Sequence, residues 1–187
     1  MKEKNKIVRR ISLTEKWDVY TVDRVKTGKT VTSGLDLKKG EYRIVIGACI
    51  FNSQNQLLVQ KRQTDKKTWP NYWDISVSGS VISGETSSEG VKREIAEELG
   101  LHFDIENMLP QLSINYNGGF EDYYLIEEDV NLADVVIQEE EVQEVAWMTL
   151  AEIYQLIEKE EFIPYHAHLI GLLFEMKTNY GSYKREG

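Results

Sequence analysis

Three glutamates in one short stretch of the chain have the spacing of a metal-binding helix face. Residues 79–101 read GSVISGETSSEGVKREIAEELGL, which is a glycine-rich loop followed by an acidic helical pattern. At about 100° per residue, Glu94, Glu97 and Glu98 share one face of that helix. Their like charges repel, so the simplest alternative is a solvated acidic helix. Mg²⁺ and Mn²⁺ prefer carboxylate oxygens, and a bound divalent cation would remove the repulsion.

Residues around these glutamates predict the limits of the helix. Thr86 can cap its first turn, with Glu89 three residues later completing a capping box. Gly100 supplies the C-terminal stop. Gly90 falls within the acidic face, where the absence of a side chain is predicted to leave room for a bound group. The apolar stripe beside that face consists of Val91, Ile95 and Leu99.

The spacing of the whole stretch resembles a complete Nudix box. Its defined positions are filled by Gly79, Glu85, Arg93, Glu94, Ile95, Glu97, Glu98, Gly100 and Leu101. A chance match to a pattern of this length is rare. The resemblance implies a metal-dependent hydrolase that splits a diphosphate linkage, either in a nucleoside diphosphate joined to a second group or in a related diphosphate. It also implies an α/β/α sandwich around a mixed sheet, with the box as its loop–helix–loop.

The resemblance also implies roles for single residues of the box. Glu94, Glu97 and Glu98 would bind Mg²⁺ or Mn²⁺, and Gly79 would offer its backbone carbonyl to a metal. Arg93 would orient the carboxylates by pairing with Glu85, which is therefore counted with the metal-site residues.

Glu94 is the first choice for the general base, although members of the family differ here. Outside the box, Glu141 matches a position that often adds a carboxylate, as a metal ligand or as the base. The alternative interpretation of Glu141 is one charge in an acidic turn.

A cationic, aromatic segment is predicted to bind the substrate. Residues 61–73 read KRQTDKKTWPNYW. Arg62, Lys66 and Lys67 could contact phosphate oxygens, because metals alone do not cover all the oxygens of a diphosphate. Trp69 would belong to a ring-stacking wall. A solvated loop anchored by its tryptophans explains the segment about equally well.

Further motifs look like the isopentenyl-diphosphate isomerase-like branch of the Nudix superfamily. They are EKWDVY, GEYRIVI, LLVQKR, DKKTWPNYW, GFEDYYL and EEVQEVAWM, and the resemblance spans most of residues 13–163. Ser78 stands where isomerases need a cysteine, and Ser80 replaces their metal-binding histidine, while Glu121 corresponds to their catalytic glutamate. We therefore predict a hydrolase. The alternatives are an isomerase-like enzyme and a non-catalytic domain that senses a nucleotide or metabolite.

Composition limits the partners. The chain has 187 residues and a net charge of −9, which argues against duplex nucleic acid as a partner but not against a small nucleotide. No stretch approaches the length of a membrane span. The only cysteine, Cys49, lies in an apolar run, so we expect a buried thiol and a cytoplasmic protein. A length of 187 residues fits a single domain. Homodimers are common in the family that the sequence resembles.

The elements that must position these residues form an α/β pattern. We expect a loose basic arm over 1–12 and a hairpin within 13–34, with its turn at Thr27-Gly28. Strands are predicted at 42–51, 57–62, 75–80, 112–116, 122–127 and 141–148. Helices are predicted at 150–160 and 165–180, followed by a frayed tail at 181–187.

Overall fold

The computed structural model of the protein describes residues 15–105, 108–178 and 181–183. The predicted basic arm at 1–12 and the last part of the predicted tail, 184–187, lie outside these residues. The strands are β1 (Lys16–Tyr20), β2 (Lys26–Thr32), β3 (Arg43–Phe51), β4 (Leu57–Arg62), β5 (Trp73–Asp74), β6 (Val77–Ser80), β7 (Leu112–Tyr116), β8 (Gly119–Glu127) and β9 (Val142–Met148). The helices are α1 (Ser87–Leu99), α2 (Leu150–Glu158) and α3 (Ala167–Met176), with a 3₁₀ turn at Leu132–Asp134.

Strands β3 to β9 form one mixed sheet of seven strands, and β1 and β2 form a separate antiparallel hairpin. The order in the sheet is β5-β4-β3-β8-β7, with β6 paired to β3 and β9 paired to β4. Among the strand pairings of the described residues, only that of β3 with β8 is parallel. Because β6 pairs antiparallel with β3, Gly79 lies opposite Ile46 at the centre of the sheet.

Helices cover both faces of this sheet, which confirms the predicted α/β/α arrangement. Alternate residues of β3 point to opposite faces. Ile44, Ile46 and Ile50 share a core with α1, whereas Cys49 and Phe51 share a core with α2 and α3. Burial on both sides explains why β3 is the most continuous apolar run of the chain. Cys49 is buried as expected, and this burial raises the pKa of its thiol.

The predicted turn of the N-terminal hairpin was wrong. The chain reverses at residues 21–25, where Arg24 has a φ of +62° and Thr21 N–H bonds to the Val25 carbonyl at 2.9 Å. Gly28 lies inside β2 with a φ of +78°, and the register of the two strands shifts between Asp18 and Tyr20. A glycine at positive φ serves a bulge as well as a turn, so the Thr-Gly pair indicated a backbone conformation but not its place.

Other boundaries moved for tertiary reasons. Strand β8 begins at Gly119 instead of 122, because residues 119–127 pair in register with the whole of β3. The predicted strand at 75–80 is β6 preceded by the short strand β5, which pairs with β4. The last helix runs over Ala167–Met176, shorter than predicted, although residues 179–180 lie outside the description. No helix among the described residues combines the length and apolar character needed to cross a bilayer.

Close packing in the centre of the sheet generates a stability prediction. A Cβ added at Gly47 would lie 2.9 Å from Ile75 Cδ1 and 3.0 Å from the Tyr123 ring. We expect Gly47→Ala to lower the free energy of unfolding by about 1–3 kcal/mol, the usual cost of overpacking. Urea denaturation measures it. Ile75→Val removes the nearest methyl group, so the double variant should lose less than the sum of the single losses.

Candidate active site

Helix α1 begins and ends as its sequence predicts. Thr86 Oγ1 accepts the Glu89 backbone N–H at 3.3 Å, and the Glu89 carboxylate accepts the Thr86 backbone N–H at 2.7 Å. Both halves of the capping box are therefore present. Gly100 ends the helix in the left-handed conformation, with a φ of 66°. These local signals set the register in which the three glutamates leave the helix.

The guanidinium of Arg93 lies among the carboxylates of the acidic stretch. Its Nε and Nη2 contact the Glu85 carboxylate at 2.8 Å and 3.1 Å, which is the pairing that the sequence implied. Its Nη1 lies 3.0 Å from Glu94 Oε1 and 3.2 Å from Glu97 Oε2. Nη2 also donates to the Ser80 carbonyl at 3.0 Å. Arg93 thus ties the loop, the helix and strand β6 together.

The Glu94 carboxylate lies directly against the backbone of Gly79. A Cβ added at Gly79 would be 2.3 Å from Glu94 Cδ and Oε1, a distance that real side chains do not tolerate. Only glycine therefore lets this carboxylate and the β6 backbone meet. The Glu94 carboxylate and the Gly79 backbone both belong to residues predicted to form the metal site.

Glu98 is the most deeply buried of the three glutamates, with only 7% of its surface exposed. Its Oε2 accepts a hydrogen bond of 2.9 Å from Gln60 Nε2 on β4. The Oε1 atom of Gln60 is buried and has no hydrogen-bond partner among the described residues. A buried carboxylate therefore lies beside a buried, unsatisfied amide oxygen.

Burial dominates the electrostatics of these carboxylates. Desolvation, together with the nearby Glu94 charge, raises the pKa of Glu98 well above its usual value, despite the bond from Gln60. Desolvation raises the pKa of Glu94 to about 7, although Arg93 acts in the opposite direction. A cation bound beside these carboxylates would lower both pKa values, because an opposite charge favours the ionised form.

A lysine predicted to bind the substrate contacts a carboxylate predicted to bind the metal or to act as the base. Lys66 from the cationic segment forms an ion pair with Glu141, the carboxylate outside the box. Glu141 is close enough to Glu98 to contribute to its raised pKa. The structure therefore brings the cationic segment to the edge of the acidic site.

Arg62 is placed differently from the other predicted phosphate ligands. Its side chain is only 14% exposed, and its Nη1 lies 3.4 Å from the buried Asp74 carboxylate. Its Nη2 donates to the Thr68 carbonyl at 3.3 Å. Lys67 and Trp69 are exposed, and the Trp69 ring packs edge-on against Tyr72. Arg62 is thus committed to internal contacts, whereas Lys67 and Trp69 face solvent.

Comparison with known proteins decides the family. A sequence model described as the NUDIX domain matches residues 41–170. An "Uncharacterized Nudix hydrolase" of Listeria innocua is 44% identical over 164 residues, covering 88% of this chain and 96% of the relative. The chain belongs to the Nudix family. It is a Nudix hydrolase, and membership implies hydrolysis of nucleoside diphosphate derivatives.

Two more distant matches concern the isomerase-like resemblance and the fold. An isopentenyl-diphosphate Delta-isomerase of Corynebacterium efficiens is 30% identical over 128 residues, covering 61% of this chain and 65% of the relative. A crystal structure from Deinococcus radiodurans superposes with a TM-score of 0.68 at 24% identity, covering 86% of this chain and 98% of the other. This last match supports the fold alone. The isomerase-like resemblance of the sequence is thus present, at lower identity than the hydrolase relative.

Nudix enzymes generally use divalent metals, and the residues of this box fit such an ion. The buried Glu98 carboxylate, the unsatisfied Gln60 oxygen and the Glu94 carboxylate against Gly79 are the oxygen donors that Mg²⁺ or Mn²⁺ prefers. However, no three Asp, Glu, His or Cys side chains among the described residues lie close enough together to hold a metal ion without rearrangement. Arg93 holds Glu94 and Glu97, so a cation would compete with it for their oxygens.

The predicted role of Gly90 was wrong. A Cβ at this position would lie 3.1 Å from Val81 Cγ2 and 3.5 Å from Glu85 Oε2. Gly90 is buried and lets the box loop pack closely on α1, so it does not open the acidic face to a bound group. The helical wheel placed Gly90 correctly but contained no information about the loop that covers it.

Two positions that distinguish a hydrolase from an isomerase, Ser78 and Glu121, lie on the face of the sheet that α2 and α3 cover. Ser78 pairs with Gly47 across β3, and its hydroxyl donates to the buried Asp74 at 3.1 Å. Tyr165 donates to the same carboxylate at 2.8 Å. Glu121 lies on β8, and burial together with the charge of Asp74 raises its pKa. Ser78 is therefore a structural donor to Asp74.

Several residues of the site were missed from the sequence. Gln60 and Asp74 each interrupt an apolar environment, and that signal could have identified them as buried polar partners. No pattern in the sequence predicted the contacts between the N-terminal hairpin and the box loop. Asp18 accepts the Gly84 backbone N–H at 3.1 Å and the Ser83 hydroxyl at 2.7 Å, and it pairs with Lys26 at 2.7 Å. These contacts hold the box loop against the hairpin.

The raised pKa of Glu94 predicts how stability depends on pH. Because the native pKa is about 7 and the ordinary value is 4.5, the native state binds more protons than the unfolded state between these pH values. The metal-free Nudix hydrolase should therefore lose stability as pH rises through this window. Glu94→Gln removes the loss and should be about 1–3 kcal/mol more stable than wild type at about pH 8.

Urea denaturation in EDTA at about pH 5 and about pH 8 measures this difference. The advantage of Glu94→Gln should nearly vanish at the lower pH, where wild-type Glu94 is protonated. Glu158→Gln is the matched control, since Glu158 is exposed on α2. Equal stabilities of Glu94→Gln and wild type at the higher pH would contradict the assignment of a buried carboxylate with a raised pKa.

Proposed function

We propose that this Nudix hydrolase cleaves the phosphoanhydride bond of a small-molecule diphosphate in the presence of Mg²⁺ or Mn²⁺. The substrate class is a nucleoside diphosphate linked to another group, or a related diphosphate metabolite. The observation that carries the proposal is the contact of the Glu94 carboxylate with the Gly79 backbone, near the buried Glu98 carboxylate, within a complete Nudix box. Glu94, Glu97, Glu98 and the Gly79 carbonyl would hold the metal.

The chain's own residues have distinct parts in this chemistry. When bound, the metal neutralises phosphate oxygens and lowers the pKa of a water molecule. Gln60 fixes the orientation of Glu98, and Arg93 fixes that of Glu85 and Glu97. Glu94 is the proposed general base, because its burial makes the carboxylate more basic. Glu141 is the alternative base, and its pairing with Lys66 makes it the weaker candidate.

The cationic segment is the proposed binding surface for substrate phosphates. Lys67 is exposed and Trp69 is 43% exposed, so both can reach a ligand. Lys66 already pairs with Glu141 at the edge of the acidic site, which supports a role for its ammonium in binding substrate phosphates. Arg62 is a poorer candidate, since it would have to leave the buried Asp74 carboxylate uncompensated.

The decisive experiment replaces Glu98 and measures turnover. Glu98→Gln keeps the shape and the Gln60 neighbour but removes the charge. With a panel of diphosphates and saturating Mg²⁺, we expect kcat to fall at least ~100-fold, the scale of a lost electrostatic element. Folding should be retained or improved, because a buried charge is removed. Glu158→Gln is the control, and near-normal turnover of Glu98→Gln would reject the proposed role.

The same panel separates hydrolysis from isomerisation. Isopentenyl diphosphate incubated with the protein and Mg²⁺ in deuterated water should gain no deuterium at carbon. Ser78 already donates to Asp74, and a hydroxyl is a far weaker acid than a thiol of pKa ~8.5. Deuterium incorporation that disappears in Ser78→Ala would replace the hydrolase proposal with the isomerase alternative.

Lys66 and Lys67 carry a separate prediction about substrate binding. Replacing both with Ala should raise KM about tenfold or more and change kcat less, if the contacts are the same in ground and transition states. The single variant Lys67→Ala isolates the exposed lysine from the Glu141 pair. Lys92→Ala, an exposed lysine on α1, controls for net charge. An unchanged KM across the panel would leave both lysines as solvated loop residues.

A further inference from the structure

Among the arginines that the structure describes, one beside the Nudix box lacks the carboxylate partner that the others have. The described residues contain four arginines. Arg24 pairs with Asp122, Arg62 with Asp74, and Arg93 with Glu85 and its neighbours. Arg43, at the start of β3, has no carboxylate within 4.0 Å among the described residues. A half-buried guanidinium without a counter-charge is favourably placed to receive an anion.

The position of the Arg43 guanidinium is fixed by two contacts. It stacks over the Trp17 ring, with Cζ 3.9 Å from the ring centroid. Its Nη1 donates to Ser80 Oγ at 2.8 Å. A guanidinium carries five N–H donors, and stacking leaves its edge available for a planar acceptor. The charge is therefore oriented in advance, with donors to spare.

The neighbouring groups add further donors. Trp17 is only 9% exposed, yet its indole Nε1 has no hydrogen-bond partner among the described residues. Trp147 shows the usual arrangement, since its Nε1 donates to the Val130 carbonyl at 3.2 Å. Ser80 accepts from Arg43 and still has its own hydroxyl proton to donate. An indole N–H can only donate, so the missing partner must be an acceptor.

The backbone of Ser80 connects these donors to the acidic site. Ser80 follows Gly79, whose backbone meets the Glu94 carboxylate, and the Ser80 carbonyl accepts from Arg93. Glu15, two residues before Trp17, contributes to the raised pKa of Glu94, which places the residue before β1 near the carboxylates. An anion held by Arg43 would thus lie at Ser80, one residue along β6 from Gly79, whose backbone meets the Glu94 carboxylate.

We infer that Arg43, Trp17 and Ser80 form an anion subsite that binds a phosphoryl group of the substrate. The inference rests on the proposed function for the identity of that substrate, but the subsite itself does not depend on turnover. It gives the N-terminal hairpin a role in binding, although Trp17 lies outside residues 41–170 that match the NUDIX domain. The alternative is that stacking on Arg43 only fastens the hairpin to the sheet.

Indole NMR of protein with ¹⁵N-labelled tryptophan tests the subsite without catalysis. Inorganic diphosphate is titrated into the protein in EDTA, where the carboxylates repel it and cannot bind it through a metal. We expect the Trp17 indole signal, assigned by its loss in Trp17→Phe, to shift, and the Trp147 signal to stay. Arg43→Gln should abolish the shift. Lys177→Gln should retain it, because Lys177 stacks on Phe51 and pairs with Glu127 away from the box.

Steady-state kinetics with a diphosphate that the protein hydrolyses provide a second test. Arg43→Gln should raise KM at least tenfold with a smaller change in kcat, and Trp17→Phe, which keeps the stacking, should raise KM severalfold. A Trp17 signal that does not move with diphosphate in the wild type would overturn the inference while leaving hydrolysis intact. A shift without hydrolysis of any diphosphate would keep the subsite and reject the proposed function.

Discussion

Charge balance around Arg93 is the interaction on which the rest of the site depends. One guanidinium contacts carboxylates of the box loop and of helix α1, together with a carbonyl of β6. If Arg93 were absent, Glu85, Glu94 and Glu97 would repel one another at partly buried positions, and the loop would separate from the helix. Even with Arg93 present, the pKa of Glu94 and of Glu98 remains raised, because burial disfavours their ionised forms. A bound cation would favour ionisation of both carboxylates, which is the physical link between this site and a metal.

The sheet brings this acidic region and a set of cationic groups to one place. Strand β6 inserts beside β3 and delivers Gly79 to the Glu94 carboxylate, with Ser80 next to Arg43. Pairing of β4 with β9 brings Lys66 to Glu141. A phosphoanhydride substrate needs both signs of charge, since its oxygens are anionic and its hydrolysis requires a basic group and a cation. The sheet therefore positions cationic and anionic groups side by side, although they are far apart in sequence.

The N-terminal hairpin completes this arrangement from outside the segment that matches the NUDIX domain. Asp18 accepts hydrogen bonds from the box loop, Lys26 pairs with Asp18, and Trp17 stacks on Arg43. On the opposite face of the sheet, the Asp74 carboxylate binds Ser78 and Tyr165 and so links β6 to the segment before α3. Strand β6 is consequently held on both sides. Because Gly79 belongs to that strand, packing on either face restrains the backbone beside the Glu94 carboxylate.

The sequence by itself determined the box, its helix and the family. Thr86, Glu89 and Gly100 act through contacts within a few residues, so the limits of α1 and the shared face of its glutamates follow from spacing alone. Burial and pairing between distant segments were decided only by the tertiary structure. Gly90 contacts Val81, Arg62 is bound by Asp74, and Gly28 forms a bulge instead of a turn, because each depends on a neighbour that local patterns do not contain. The stacking of Arg43 on Trp17, whose buried indole N–H has no partner among the described residues, likewise depends on the packing of β1 against β3.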